Sequence, residues 1–269
     1  MTTPAFKENV TILTGASRGI GRQVAYKLAE QGAWLVLAAR TAEKLEEVAE
    51  ECRSIGGRSI AVPADIAQRD QCDRLIARTV EQYGRIDTLI NNAGITMWSR
   101  FDQLQDLAPV ERLMQVNYFG SLYCTYAALP FLKESRGRIV VVASLAGKSG
   151  IPNRSAYAAS KHALVGFFET LRIELAPLGV SVTIIYPDFV ATDTRRRAFG
   201  PDGKPLGESP VRENKVMTAE ECARIIVAAA ASRKRDEITS LRGKLGLWLK
   251  LVAPALVDRI ASRAIERGR

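Results

Sequence analysis

Asn9-Val-Thr-Ile-Leu-Thr-Gly-Ala-Ser-Arg-Gly-Ile-Gly21 is the stretch whose reading decides the fold. Asn9 to Thr14 is a short β-branched apolar run of strand length, and the turn from Gly15 to Gly21 leads it into a helix that reaches Glu30. Glycines 15, 19 and 21 let the backbone approach a pyrophosphate and let helix pack on strand, while the exposed N–H groups of the helix start face the anion. A glycine pattern by itself is a weak signal. Here the strand and the helix that it requires stand on either side of it.

Working outward, Ala33 to Ala39 reads as a second strand that ends in Ala38-Ala39-Arg40. Enzymes that use NAD commonly carry an acidic residue there for the ribose hydroxyls. This chain has none, and Arg40 with Arg18 suits a 2′-phosphate, so NADP(H) is expected rather than NAD. Thr41 is placed to cap a helix to Ile55 that Gly56-Gly57 ends. Arg58 to Pro63 is a third strand leading to Asp65-Ile66, a helix runs from Gln68 to Tyr83, and Ile86 to Ile90 is the fourth strand. That strand ends in Asn91-Asn-Ala-Gly94, an edge suited to an adenosine or ribose. Helical patterning fills Leu104 to Lys133 and is interrupted at Asn117. Gly137 to Ser144 is the fifth strand, Ser155 to Leu178 a long helix, and Val180 to Tyr186 the sixth strand. Thr218 to Ala231 is a capped helix and Glu237 to Ser240 a short last strand. Such alternation demands a single doubly wound α/β domain of Rossmann type. It has a parallel sheet of about seven strands, right-handed crossovers and helices on both faces.

The long helix carries the chemistry. Tyr157 and Lys161 in Ser155-Ala-Tyr-Ala-Ala-Ser-Lys161 stand four residues apart and share a face. A phenol titrates near about 10, and bringing it to neutrality needs roughly 4 kcal/mol of differential stabilisation of the phenolate. A buried ammonium and a cationic cofactor ring are suited to supply it. Ser144 closes the run Val140-Val-Val-Ala-Ser144, so its hydroxyl should emerge at the carboxyl edge of the sheet, where parallel sheets bind ligands. His162, one position from Lys161, points about 100° away around the helix and is given no role.

Composition narrows the classes. The chain of 269 residues has a net charge of +9, but Arg233 to Arg269 holds ten Lys/Arg against four Asp/Glu, so this tail carries +6 of it. The remainder is nearly balanced and shows no basic stripe interleaved with aromatics, which argues against nucleic acid. Cys52, Cys72, Cys124 and Cys222 fall singly and there is one histidine, so no metal site is expected. No apolar run of membrane-spanning length occurs and Met1 to Asn9 is too polar for a signal peptide, from which a cytoplasmic protein is expected. Pro187 to Val216 lacks periodicity and reads as a lid over residues 188–216. Residues 1–240 are expected to form the domain and 241–269 a basic amphipathic tail. Leu247, Trp248, Leu249, Leu251 and Val252 of that tail either pack on a second subunit or beside the lid, or lie on an anionic membrane surface.

Taken in order, Thr14-Gly-Ala-Ser-Arg-Gly-Ile-Gly21, Asn91-Asn-Ala-Gly94, Asn117, Ser144, Tyr157-Ala-Ala-Ser-Lys161 and Pro187 with Thr192 resemble the motifs of the short-chain dehydrogenase/reductase family, over roughly residues 8–195. The resemblance implies a catalytic tetrad of Asn117, Ser144, Tyr157 and Lys161. Tyr157 would pass the proton, Ser144 orient a carbonyl, Asn117 hold a water-linked proton path to Lys161, and Lys161 also hold the nicotinamide ribose. It implies further that Gly15, Ser17, Arg18, Gly19, Ile20, Gly21, Arg40, Asp65, Ile66, Asn91, Ala93, Gly94, Tyr157, Lys161, Pro187, Val190 and Thr192 line the cofactor, NADP(H). After Pro187 the family usually has Gly where this chain has Asp188, and Asp188-Phe189 are assigned with Ser144 and Tyr157 to the substrate side. The basic tail is similar to that of hydroxysteroid-dehydrogenase-like members, so a lipophilic ketone or aldehyde and its alcohol are expected as substrate, in a homodimer or homotetramer. A 3-ketoacyl thioester reductase is the alternative within the enzyme class. Outside it stands a non-catalytic cofactor-sensing or scaffold module at a membrane.

Overall fold

The computed structural model describes residues 4–210 and 216–266. The elements follow in order as β1 (Val10–Thr14), α1 (Gly19–Ala29), β2 (Trp34–Ala39), α2 (Ala42–Ile55), β3 (Arg58–Pro63), α3 (Arg69–Tyr83), β4 (Thr88–Asn91), α4 (Ala108–Met114), α5 (Gly120–Glu134), β5 (Arg138–Val142), α6 (Ser155–Leu175), β6 (Ser181–Tyr186), β7 (Val190–Ala191), β8 (Met217–Thr218), α7 (Ala219–Ala231), β9 (Asp236–Ile238), α8 (Leu241–Val252) and α9 (Pro254–Glu266). Seven strands form one sheet in the order β3-β2-β1-β4-β5-β6-β9, and every neighbouring pair is parallel. This is the Rossmann-type sheet expected from the alternation.

The strands are apolar on both faces because both faces are covered. Ile12 and Val36 point to one core with Leu75 of α3, Cys124 of α5 and Phe168 of α6. Leu13 and Leu35, each one position away in its strand, point to the other core with Leu28 of α1, Val48 of α2 and Ile226 of α7. All four cysteines are buried as free thiols within these two layers.

Several boundaries move. Thr41 sits at the N-cap of α2 but makes no side-chain cap bond, whereas Thr218 forms a full capping box with Glu221. The helical run before β5 is broken at Asn117 by a π-helical turn over Gln115–Phe119, a form that inserts an extra residue and is frequent at functional sites. The segment after Pro187 is not structureless among its described residues. Val190–Ala191 pairs with Met217–Thr218, and Phe199 bridges Met97 and Pro205. Residues 211–215 of the expected lid lie outside the described part.

The order of the sheet reverses between β1 and β4, and helices leave their carboxyl ends for opposite faces, which opens a crevice there. Gly15 has φ +68 and a Cβ on it would come within 2.7 Å of the Ala93 Cα. A Cβ on Gly21 would lie 2.2 Å from the Gly15 carbonyl oxygen and 2.6 Å from Asn92 Nδ2. Gly21→Ala is therefore expected to cost about 2–3 kcal/mol, within the range for overpacking a close backbone contact. A urea unfolding midpoint that falls at unchanged m-value measures it. A midpoint equal to that of the unmutated protein would contradict the packing.

Candidate active site

A cleft of about 500 Å³ lies along the carboxyl ends of β1, β2, β4, β5 and β6. One end is the glycine turn, where Gly15, Ser17, Arg18, Gly19, Ile20 and Gly21 all contribute to the wall. Arg18 brings an Nη1 that is buried with no hydrogen-bond partner. Arg40 is exposed at the rim, and Thr192 closes against Gly19, where a Cβ would stand 3.3 Å from Thr192 Cγ2.

Beside the turn, Asp65 accepts from the Ala67 amide at 3.0 Å and from Arg112 Nη2 at 2.8 Å. Burial works to raise the Asp65 carboxyl, but the bonds from Arg112 and Ala67 and the nearby Arg40 charge more than offset it and hold it below the ordinary value. Ile66, Ala93, Gly94, Pro187 and Val190 also line the cleft.

Asn91 does not. As the last residue of β4 it points into the protein and donates from Nδ2 to Thr125 Oγ1 at 2.9 Å. Its neighbour Asn92, on the opposite face of the strand, lines the cleft instead and donates to the carbonyls of Thr14 and Gly15. Successive residues of a strand face opposite sides, so the one-residue difference decides it.

The other half of the cleft holds the chemistry-bearing cluster. Ser144 lies just past β5, and its Oγ accepts from the Ala146 amide at 3.1 Å. Tyr157 and Lys161 share the cleft-facing side of α6 as their spacing predicts. The Lys161 ammonium is 5.9 Å from the Tyr157 ring centre and donates to the Val142 carbonyl at 2.9 Å. Burial pushes this ammonium below its ordinary value, against the attraction of Tyr157.

At Tyr157 burial works to raise the phenol. Lys161, then Arg154, and hydrogen bonds with Ser144 and Arg154 overcome that and hold it below the ordinary phenol value. Asn117, fully buried in the π-helical turn, is not part of the cleft wall. Its Oδ1 accepts from the Ile95 amide at 2.9 Å, and its Nδ2 donates to the Ile95 carbonyl and to Ser160 Oγ. A Cβ on Gly94 would come within 3.2 Å of Asn117 Oδ1 and 3.7 Å of Lys161 Nζ, so both groups face the same small residue.

Phe189 is at the wall, near both Arg154 and Arg195. Asp188 reaches the wall too, but its carboxylate turns toward the tail. It accepts from Ser240 Oγ at 2.8 Å and from both Arg242 nitrogens at 3.0 to 3.3 Å, while its amide donates to Thr239 Oγ1. Its carboxylate thus anchors α8 rather than facing the substrate side. His162 is exposed, and one ring nitrogen is bonded to the Ala158 carbonyl. Arg112, Arg154, Arg195 and Asn92 were not expected at the site. Their partners come from elements distant in sequence, and only the proximity of Arg154 to Tyr157 on one helix start was a signal within reach.

A crevice at the switch point of a parallel sheet, walled by a glycine turn and a Ser, Tyr and Lys cluster, is that of a nucleotide-binding oxidoreductase. The short chain dehydrogenase family matches residues 9–201, and the chain belongs to it. Among its relatives, 11-beta-hydroxysteroid dehydrogenase 1A of Arabidopsis thaliana is 38% identical over 264 residues, covering 94% of this chain and 75% of that protein. The 11-beta-hydroxysteroid dehydrogenase of Pinus massoniana is 40% identical over 256 residues, covering 93% of this chain and 72% of that protein. A short chain dehydrogenase/reductase from Burkholderia phymatum, solved in complex with NAD, superposes with a TM-score of 0.81 at 26% identity, covering 95% of this chain and 96% of that one. The chain is accordingly an oxidoreductase acting on CH–OH groups with a nicotinamide cofactor.

Proposed function

We propose that the protein is an NADP(H)-dependent enzyme that interconverts a ketone or aldehyde and an alcohol on a lipophilic substrate, with Tyr157 moving the proton. The observation that carries this reading is the convergence of Ser144, Tyr157 and Lys161 on one cleft wall, with the Lys161 ammonium 5.9 Å from the Tyr157 ring centre, a setting that holds the phenol below its ordinary value despite its burial. In reduction the Tyr157 hydroxyl donates to the carbonyl oxygen as negative charge builds there, and Ser144 donates to the same oxygen. In oxidation the phenolate takes the alcohol proton. Lys161 stabilises the phenolate by charge and is kept in place by the Val142 carbonyl. Asn117 acts as a positioning residue, tying the Ile95 backbone to Ser160 of α6, and we assign to it the proton path behind Lys161.

The residues present fit the cofactor. Gly15 and Gly19, both at positive φ, keep Cβ atoms out of the cradle, and the buried unpartnered Nη1 of Arg18 suits a phosphate oxygen. Arg40 and Arg18 would hold a 2′-phosphate. When bound, the nicotinamide supplies or takes up the hydride. Apolar wall residues Ile95, Phe189 and Phe199 support a lipophilic substrate, as does the likeness to 11-beta-hydroxysteroid dehydrogenases. The same Ser and Tyr would serve a ketoacyl thioester. A non-catalytic module is the weaker reading, because it leaves the tuned phenol unused.

A second reading concerns the tail, on one observation. Leu241, Leu245, Trp248, Val252, Leu256 and Ile260 recur at helical spacing on α8 and α9 and are all exposed, Trp248 at 65%. Trp248, Leu251 and Val252 therefore do not fold back on their own domain. Lys244, Arg259 and Arg263 border this stripe, while Arg242 is held by Asp188 and Lys250 donates to the Lys148 carbonyl. We propose that it lies on an anionic membrane surface, each basic residue near the lipid contributing roughly 1 kcal/mol. No helix among the described residues is long and apolar enough to cross a bilayer.

Tyr157→Phe is expected to lower kcat at least about a hundredfold while the Kd for NADPH changes less than about twofold, because only the proton donor is removed. In the oxidation direction kcat/KM should rise with pH as the phenol ionises. Lys161→Met should move that rise to higher pH, since loss of the neighbouring cation raises the phenol. Turnover of Tyr157→Phe near that of the unmutated enzyme would remove the mechanism.

NADPH is expected to bind at least about tenfold tighter than NADH, the 1.4 kcal/mol within reach of charge-assisted bonds. Arg40→Asp should reverse the order. Equal affinities for the two cofactors in a titration of the unmutated protein would refute it.

Full-length protein should cosediment with anionic vesicles at low salt and leave them at high salt, while a chain ending at Ser240 stays in the supernatant. If the full chain does not pellet, a second copy covering the stripe is the surviving explanation, and sedimentation velocity would show it.

A further inference from the structure

Arg154, the residue immediately before α6, is placed as a recognition residue and not as a surface cation. Only 9% of it is exposed, and its guanidinium lines the cleft on the Tyr157 side. It lies 4.1 Å over the Tyr157 ring, with the Trp98 and Phe189 rings at 5.8 and 5.9 Å. Its Nη2 donates to Thr96 Oγ1 at 2.8 Å. Its Nε is buried with no partner. Among the described residues no carboxylate forms an ion pair with it. Among the described residues, the two acidic ones on the cleft wall are already engaged, Asp65 by Arg112 and Asp188 by Arg242 and Ser240.

Burying a guanidinium beside a phenol and rings rather than a carboxylate is costly, and aromatic faces offset only part of that cost. Burial accordingly depresses the Arg154 guanidinium from its ordinary value. The rings of Trp98, Tyr157 and Phe189 make this half of the cleft apolar around the Arg154 guanidinium. Among the described residues no carboxylate meets its open N–H edge. A guanidinium with an open N–H edge is matched by the planar pair of oxygens of a carboxylate.

We propose that Arg154 binds a carboxylate carried by the substrate, so that the enzyme acts on lipophilic oxo acids and hydroxy acids whose carboxylate stands close to the reacting carbon. The inference rests on the reading of Tyr157 and Ser144 as the groups that hold the reacting oxygen. Because Arg154 sits over the ring that carries that hydroxyl, one molecule reaches both. The carboxylate supplies a counter-charge to the Arg154 guanidinium, and the neutral ester of the same compound does not.

Matched pairs decide it, since acid and ester share the ketone and differ in the charge and one methyl group. With NADPH, benzoylformate and acetoacetate are compared with methyl benzoylformate and methyl acetoacetate. The esters have the more reactive ketones, so chemistry alone favours them. An acid that exceeds its ester in kcat/KM by at least about tenfold in either pair supports the proposal. That advantage should fall to about twofold or less in Arg154→Met and be partly kept in Arg154→Lys, which retains charge without the planar fork. An ester that equals or exceeds its acid in both pairs overturns the proposal and leaves the oxidoreductase reading standing, as does an acid advantage undiminished in Arg154→Met. The ratio in the unmutated protein needs no variant to fold. A binding arm separates the two readings. Benzoate and benzamide are titrated calorimetrically into the protein with NADPH. If none of the carbonyl compounds is reduced, the reading of Tyr157 fails. Benzoate binding at least about tenfold tighter than benzamide then still upholds the carboxylate site, and equal binding removes it.

Discussion

The hydroxyl of Thr14 holds the two halves of the sheet together at the point where ligand must enter. It accepts from the amides of Asn92 and Ala93 at 3.0 and 3.1 Å and donates to the Ile90 carbonyl. A polar side chain at the end of a buried strand thus satisfies amides that have no strand partner. With β1 and β4 fixed at this distance, the glycine turn can pass within van der Waals contact of Ala93, and the crevice has a rigid floor. Everything charged in the site is arranged along its walls.

On those walls each charge is managed differently. Asp65 and Arg112 neutralise one another beside the turn, and Asp188 is neutralised from the tail by Arg242. Among the described residues Lys161 is not paired with a carboxylate; a backbone carbonyl and a phenol hold it. Arg154 is surrounded by rings. The carboxylates of the site are therefore compensated internally, while two cations around Tyr157 are left to act on that phenol and on whatever lies against it. This asymmetry makes a tyrosine held below its ordinary value compatible with burial, since both cations oppose the desolvation that would raise it.

What the sequence reveals of this protein follows the range of the interactions concerned. Strand and helix order is legible because sheet strands covered on both faces read as apolar runs and glycines mark the turns. Tyr157 and Lys161 are legible because one turn of helix brings them together, whatever the rest of the chain does. Asn91 is misplaced because strand facing depends on where the strand stops, and a shift of one residue exchanges it for Asn92. Arg112 and Thr96 gain their meaning from Asp65 and Arg154, far along the chain. Asp188 departs from the usual glycine, yet its reason lies fifty residues on, in a helix start that needs an acceptor. Asn117 is visible as an irregularity in a helix, but that it widens the turn into a π-helix is a property of the fold.

The four cysteines, buried in the two layers, make the molecule chemically quiet toward thiol reagents. Burial pushes the Cys52 and Cys222 thiols up to about 12, and Cys124 is raised well above its usual value beside Cys72. Thiolate is the reactive form, and near neutral pH Cys52, Cys124 and Cys222 hold almost none, while Cys72 is fully buried. A single cysteine introduced on an exposed face, at Leu251 for instance, would then be the one alkylated position in the folded chain. Spectroscopic labels can be attached there without first stripping the native thiols from the core.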